Sequence, residues 1–514
     1  MAVEQYSNPL REVISMDLVE FLKTQVDRYG DKNYLVGEFG PISYTEFDRI
    51  SDRLAAGLQK LGVKPGNMVA TLHPNSTQLF MAFFAIIKAG GVVVPINPSY
   101  TPREISFILN NSGARTILVH EKWAPRVKEV ESEVRKLRST VVRRAAEPME
   151  ASLERFVSGP LAGYLPPAFS PDMPALTFYT SGTTGQPKGV ILTHRNLTFG
   201  GPNVAQNYGL RESDVTLAVL PMVHVFCIAS PFMGSLSSGG TVVVMEGFNT
   251  EEVLDAIGRH RITWFPGVPT MFTYMLNGLD QSRHDVSSLR MGLSGGASLP
   301  VEVLKQWQAR FGAEIIEVYG LTESTGLVTG NPVYGLRKPG SIGISVSGVE
   351  VKVVDESDKE ALAGQVGHLI FRGPNATHGY YNLPQLTNEK IRDGWVYTGD
   401  HAYRDKDGYY FIVGREAELI VTGGYNVYPR EIEEVLYACP GVNEVAVIGV
   451  PHEKKGEVPK AFVSLKDGVE VSQARILSHC RGNLAPYKQP QIQFLKELPK
   501  NTTGKIMKKH LPRD

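Results

Sequence analysis

Ten consecutive residues of this chain have the types and spacing to hold a polyphosphate: Thr180, Ser181, Gly182, Thr183, Thr184, Gly185, Gln186, Pro187, Lys188 and Gly189. Glycines let backbone N–H groups come close to phosphate oxygens, the hydroxyls add donors, and Lys188 supplies a compensating charge. Pro187 before the lysine and Gly189 after it exclude a Walker A loop, in which Ser or Thr follows the lysine. A polar surface turn is the plain alternative, and such turns are usually shorter. An apolar strand, Ala175 to Tyr179, leads into the segment.

Further polar clusters follow in order. They are Ser294, Gly295, Gly296, Ala297 and Ser298; Tyr319, Gly320, Leu321, Thr322, Glu323 and Ser324; Tyr397, Thr398, Gly399 and Asp400; Arg415; and Pro499, Lys500, Asn501, Thr502, Thr503, Gly504 and Lys505. Together with the glycine-rich segment they resemble the adenylate-forming superfamily. That group holds acyl-CoA synthetases, aryl-CoA ligases, firefly-type luciferases and peptide-synthetase adenylation domains. The resemblance spans essentially the whole chain. It implies an enzyme that activates a carboxylic acid with ATP and Mg²⁺ and passes the acyl group to coenzyme A, so the expected partners are the acid, ATP and CoA.

Residue roles come with the resemblance. Thr180, Ser181, Gly182, Thr183, Thr184 and Lys188 would bind phosphates, and Gly296, Ala297 and Ser298 would run along the adenine and the acyl pocket. Tyr319 and Gly320 would border the adenine, Thr322 would contact phosphate, and Glu323 would hold Mg²⁺, which prefers hard carboxylate oxygens while bridging phosphates. Asp400 would accept from both ribose hydroxyls, a task for a bidentate acceptor; an aspartate capping a tight turn is the structural alternative. Arg415 would reach the ribose or the α-phosphate. Lys505 is the implied catalytic lysine. A carboxylate displacing pyrophosphate is one anion attacking another, so a cation aimed at the transferring group lowers the barrier. Its neighbours Lys508 and Lys509 read as solvated tail lysines.

Glu418 falls at the family's hinge, where Asp or Lys is usual, and Ala417 stands where many relatives carry lysine. Gly423, Gly424 and Tyr425 are the implied thiol-binding loop, with glycines that let backbone approach a pantetheine arm. The segments 367–374 and 379–382 are also family-like and read as structural.

Pro221 to Phe226 lies where the family builds its acyl pocket. His224 would gate or line the carboxylate end, with a packed core histidine as the alternative. Between Ala218 and Met233 there is no acidic residue, whereas amino-acid-activating relatives place an aspartate there. A substrate ammonium left unpaired in a pocket is costly, so the expected acid is apolar: aliphatic, alicyclic or aromatic. A freestanding acyl-AMP ligase serving a carrier protein is the nearest rival, and a luciferase-like oxygenase stands further off. A non-catalytic nucleotide-binding module is disfavoured because Lys188, Glu323, Asp400, Arg415 and Lys505 are all present.

These groups need a scaffold of more than one core, since 514 residues exceed what a single core supports. Lys+Arg and Asp+Glu both count 53, which removes the charge that would recruit nucleic acid or an anionic membrane. Three distant cysteines lack metal-ligand spacing and suggest a reducing compartment. No apolar run is long enough to span a membrane. Neither end carries a targeting signal, so a cytoplasmic protein is expected, and a homodimer is compatible with it.

Apolar residues at Phe47, Ile50, Leu54, Leu58 and Leu61 mark a helix face. Strands at Met68 to Leu72, Val92 to Ile96 and Thr116 to Val119 alternate with helices at Gln78 to Ala89 and Pro102 to Asn110. The same rhythm returns between Asp214 and Ile316. The fold class expected is α/β: two doubly wound subdomains with mostly parallel sheets. A small antiparallel unit follows from about Val349 to Phe411, and then a small mobile α+β domain. The expected division is 1–414, a hinge at 415–418, and 419–514.

Overall fold

Local rules account for the first elements. In the computed structural model, which describes residues 8–513 except 159, 162, 182–185, 467, 502 and 503, the helix Tyr44–Lys60 opens on a reciprocal cap between Ser43 and Glu46. Phe47, Leu54 and Leu58 are buried along one face of it. The helix Thr77–Lys88 is capped by Ser76 and buried on every side. Even Lys88 is buried, its ammonium held by Asp48 at 2.5 Å and Asp52 at 2.7 Å. An ammonium withdrawn from water needs such partners. The helix Pro102–Ser112 begins with a Thr101/Glu104 box and ends on left-handed Gly113.

Two large sheets take up the expected alternation. One has seven strands, with the parallel set Pro174–Ser181, Val92–Ile96, Met68–Leu72, Thr116–His120 and Ser139–Arg143. Pro187–Thr193 and then Gly379–Tyr380 add antiparallel strands at one edge. The other has nine strands, parallel from Glu314–Tyr319 through Met291–Ser294, Trp264–Gly267, Val215–Ala218 and Thr241–Val244 to Asn33–Gly37. An aromatic group joins the two units. Phe80, on the helix Thr77–Lys88, stacks on Phe232 at 4.1 Å and meets Tyr34 of the nine-stranded sheet at 6.2 Å. Removing such a side chain from water contributes about 1.5–3 kcal/mol.

The expected antiparallel unit is formed by Glu350–Val354, Gly367–Arg372, Ile391–Arg392, Trp395–Arg404 and Tyr410–Arg415. A single turn, Glu416–Glu418, leads to the small C-terminal domain. Its sheet combines Ile420–Thr422, Tyr425–Val427, Val442–His452, Gly456–Leu465 and Gln491–Phe494. The helices Pro429–Tyr437 and Gln473–Asn483 seal it through Ile432, Leu436 and Ile476. No helix among the described residues is long and apolar enough to cross a membrane.

The ten-residue phosphate segment departs from its expected form. Its two described flanks are not loop but antiparallel strands, with Thr180 paired to Lys188 and Ser181 to Pro187. The strand before it runs on two residues past Tyr179, because Thr is favoured in strands and the returning strand supplies the ladder. Gly182, Thr183 and Thr184 lie outside the described residues.

Candidate active site

Parallel strands aim their carboxyl ends at one crevice, the usual place for a ligand in such sheets. From Met291–Ser294 the chain turns through Gly295, which donates to the Gly267 carbonyl at 3.1 Å. Exposed Gly296 and Ala297 and half-buried Ser298 follow, with Gly296 at φ +82. The adjacent strand Glu314–Tyr319 delivers Tyr319, then Gly320, then the turn Thr322–Ser324. Gly320 is obligatory there, since a Cβ would lie 1.4 Å from the Gly326 carbonyl oxygen.

Three chain segments meet at one carboxylate. Asp400 on Trp395–Arg404 pairs in register with Arg415 on Tyr410–Arg415. The Tyr319 hydroxyl donates to Asp400 Oδ2 at 2.5 Å, and Arg415 Nε lies 3.4 Å from Asp400 Oδ1. Asp400 accordingly raises the Arg415 pKa, while Glu418, Tyr319 and Glu323 add to the effect. Burial and the nearby Asp400 charge push the Tyr319 phenol well up, so it stays a donor.

Glu323 is fixed from a different direction. Tyr380 donates to Glu323 Oε1 at 2.9 Å, and the Thr377 amide donates to the Glu323 carbonyl at 2.8 Å. Gly379–Tyr380 is itself the edge strand beside Pro187–Thr193, pairing Tyr380 with Val190. The hairpin bearing Thr180 and Lys188 is thereby tied to the turn bearing Thr322 and Glu323. The segment 379–382 thus includes a side chain that touches the site, not structural residues alone. Only the tertiary fold could reveal this, because 57 residues separate the two partners.

Lys505 comes from the small domain. Its turn is closed by Asn501, which accepts from the Lys505 amide at 2.9 Å through its side chain and donates to the Lys505 carbonyl at 2.9 Å through its backbone. Burial and then the Arg415 charge lower the Lys505 pKa to about 8, against the opposing charges of Asp400 and Glu418. Burial likewise holds His224 down to about 4, with the Lys505 charge adding to the effect. His224 therefore faces the site as a neutral imidazole. It precedes a short helix and then the π-helical turn Ile228–Gly234, a distortion found often at functional sites.

One expectation needs revision. Lys508 is not a solvated tail lysine: it bridges Glu418 and Glu433, each at 2.9 Å, where those carboxylates pair its charge. The Gly423–Tyr425 turn is not part of the cluster. Gly423 and Gly424 take φ +56 and +85, the double left-handed turn that favours glycine between paired strands. Tyr425 is exposed and stacks on Tyr487 of its own domain at 4.5 Å.

Comparison with known proteins shows which family the chain belongs to. Residues 22–381 match the family model described as AMP-binding enzyme, and residues 431–505 match the AMP-binding enzyme C-terminal domain. The chain belongs to the AMP-binding enzyme family. Within this adenylate-forming superfamily it is 33% identical to a long-chain-fatty-acid–CoA ligase of Bacillus subtilis (strain 168), over 95% of this chain and 91% of the relative. It is 35% identical to a sulfoacetate–CoA ligase of Cupriavidus necator, over 96% of each. The crystal structure of the anthranilate CoA ligase AuaEII with anthranoyl-AMP superposes with a TM-score of 0.90 at 30% identity, covering 98% of this chain and 97% of that one. ATP-bound MatB from Rhodopseudomonas palustris gives 0.88 at 31%, covering 96% and 98%. This family member is an AMP-forming acid:CoA ligase, an enzyme that uses ATP and CoA to build a thioester.

Proposed function

We propose that the structure holds the ligase in the arrangement for its first half-reaction, with an apolar acid as substrate. The observation that carries this reading is that Arg415 pairs with Asp400 and Lys505 lies within the field of both, its own pKa lowered to about 8. The acid's carboxylate oxygen attacks the α-phosphorus. That O–P bond forms, the bond from the α-phosphorus to the bridging oxygen breaks, and pyrophosphate leaves. Lys505 and Arg415 oppose the negative charge gathered at the transferring group, where fixed cations in a dry site act strongly. Asp400 binds the ribose, and the Tyr319 hydroxyl holds its carboxylate in place. The hairpin with Thr180 and Lys188 receives the departing phosphates, beside Thr322.

Glu323 fits Mg²⁺ by its chemistry: Tyr380 bonds to one oxygen and leaves a hard oxygen on the same carboxylate. Among the described residues there is no group of three or more His, Cys, Asp or Glu able to hold a metal, as suits an ion that takes few carboxylates and relies on phosphates. When bound, Mg²⁺ would offset phosphate charge.

In the second step the CoA sulfur attacks the acyl carbonyl, a C–S bond forms, and the C–O bond to AMP breaks. For Gly423, Gly424 and Tyr425 to serve that step the small domain must turn. We therefore divide the chain at 1–414, a hinge at 415–418 around Glu418, and 419–514. The apolar acid is supported by the buried Val225, Cys227, Ile228 and Phe232 beside a neutral His224. Three buried free thiols support a cytoplasmic setting.

An acid panel tests this reading. With fatty acids, benzoate, ferulate, anthranilate and sulfoacetate, each with and without CoA, AMP release should be greatest with an apolar acid and should yield acyl-CoA. Preference for sulfoacetate would remove the apolar reading, and AMP release without any CoA-dependent product would favour a carrier-protein acceptor.

A further inference from the structure

The turn carrying Lys505 is docked on the large domain by residues that the nucleotide site does not use. Lys500 Nζ is anchored within its own domain by buried Glu444 at 2.9 Å. From there it reaches across to the Tyr274 hydroxyl at 2.5 Å and lies over the Tyr274 ring, 5.1 Å from the centroid. At the other end of the turn, Thr270 Oγ1 donates to the Gly504 carbonyl at 3.0 Å. Gly504 is at φ +81, and a Cβ there would stand 2.7 Å from Thr270 Oγ1. Close approach and backbone conformation both demand glycine.

Tyr274 and Thr270 belong to one helix of the large domain, Pro269–Gly278, whose fixed-φ proline starts it. Phe248 stacks on Tyr274 at 6.4 Å and steadies the ring. Within the turn, Gly504 N donates to Asn501 O at 2.9 Å and Met507 N to Pro499 O at 2.7 Å. The described residues of the turn are thus hydrogen-bonded to one another and held at two points on a single helix. A lysine side chain alone is a flexible stem with about 2 kcal/mol of rotamer entropy, so its aim depends on where its backbone is pinned.

We propose that Tyr274 and Thr270 are positioning residues for adenylate formation, receiving Lys500 and Gly504 so that Lys505 is presented to the transferring phosphoryl group. This rests on the reading of Lys505 as the lysine of the first half-reaction. The role is confined to that step, because any rotation of the small domain separates both contacts. Burial works against the Lys500 charge, but the Tyr274 and Glu444 contacts outweigh it and hold the pKa above its ordinary value. The pair is therefore an ammonium donating to the Tyr274 phenol oxygen across the domain boundary. Lys500 is a second lysine of the terminal motif with its own task, five residues before the catalytic candidate.

The test compares both half-reactions in full-length Tyr274→Ala, Tyr274→Phe, Thr270→Val and Lys505→Ala. The substrates are the panel acid with the highest AMP release and its synthetic acyl-adenylate. Tyr274→Ala should slow pyrophosphate exchange by about tenfold to a hundredfold, the scale expected when a catalytic group is displaced by about 1 Å. Thioester formation from the preformed adenylate and CoA should be unchanged. Thr270→Val, which keeps the side-chain shape, should slow the same half-reaction, and Tyr274→Phe should recover part of the loss by keeping the ring face. Unchanged exchange in both Tyr274→Ala and Thr270→Val, with Lys505→Ala inactive, overturns the docking role alone. A parallel loss of both half-reactions in those two variants overturns it too, as a general structural effect. Full exchange in Lys505→Ala overturns the docking role together with the lysine reading beneath it.

Discussion

Two glycine-bearing turns of the small domain have opposite surroundings. The turn 499–505 is pressed against Thr270 and Tyr274 of the large domain, with half-buried Lys505 in the field of Arg415, Asp400 and Glu418. A Cβ added at Gly423 or Gly424 would meet nothing within 4 Å, and Tyr425 beside them is 57% exposed. Both turns were implicated by resemblance, yet only one faces the nucleotide-binding residues. One rigid domain cannot present both faces at once. Under the proposed function the contrast divides the chemistry in time, with one turn for making the adenylate and the other for consuming it.

The largest effect that would sharpen this contrast is expected for Lys505→Ala. Pyrophosphate exchange should fall about a thousandfold, as when a principal electrostatic group is removed from a dry site, while thioester formation from added acyl-adenylate persists. Equal loss of both would break the contrast. Gly424→Val should do the reverse. Its φ of +85 is strained for a branched side chain, so CoA-dependent thioester formation should drop by about a hundredfold with exchange retained. An exchange defect in Gly424→Val would place that turn at the first step and remove the division.

Much of the scaffold was legible in the sequence, because helix caps and apolar periods are local. Ser43/Glu46, Thr101/Glu104 and the short apolar strands identify their elements without tertiary help. The candidate nucleotide cluster rests on motif order alone; what holds each group in place was not legible there. Tyr380 reaches Glu323, Lys508 reaches Glu418, and Lys500 reaches Tyr274 across 57, 90 and 226 positions. Distances of that kind are set by sheet order and domain docking. The phosphate hairpin was read as a loop because its glycines and hydroxyls mask the strand pairing at its base.

The charge on Lys505, held in the docked turn, is the centre of the account, and the pH dependence of the two half-reactions reads it in the unaltered protein. Its pKa is lowered from 10.5 to about 8, so the ammonium is present below that pH and lost above it. The kcat/KM for pyrophosphate exchange, which reports the free enzyme, should therefore fall above about pH 8 by about tenfold per pH unit. Lys505→Arg, always charged, should lack that fall. Thioester formation from preformed adenylate should instead rise through the same range as more of the CoA thiol ionises to the attacking thiolate. Exchange that stays level to pH 10, or that falls identically in Lys505→Arg, would contradict the account.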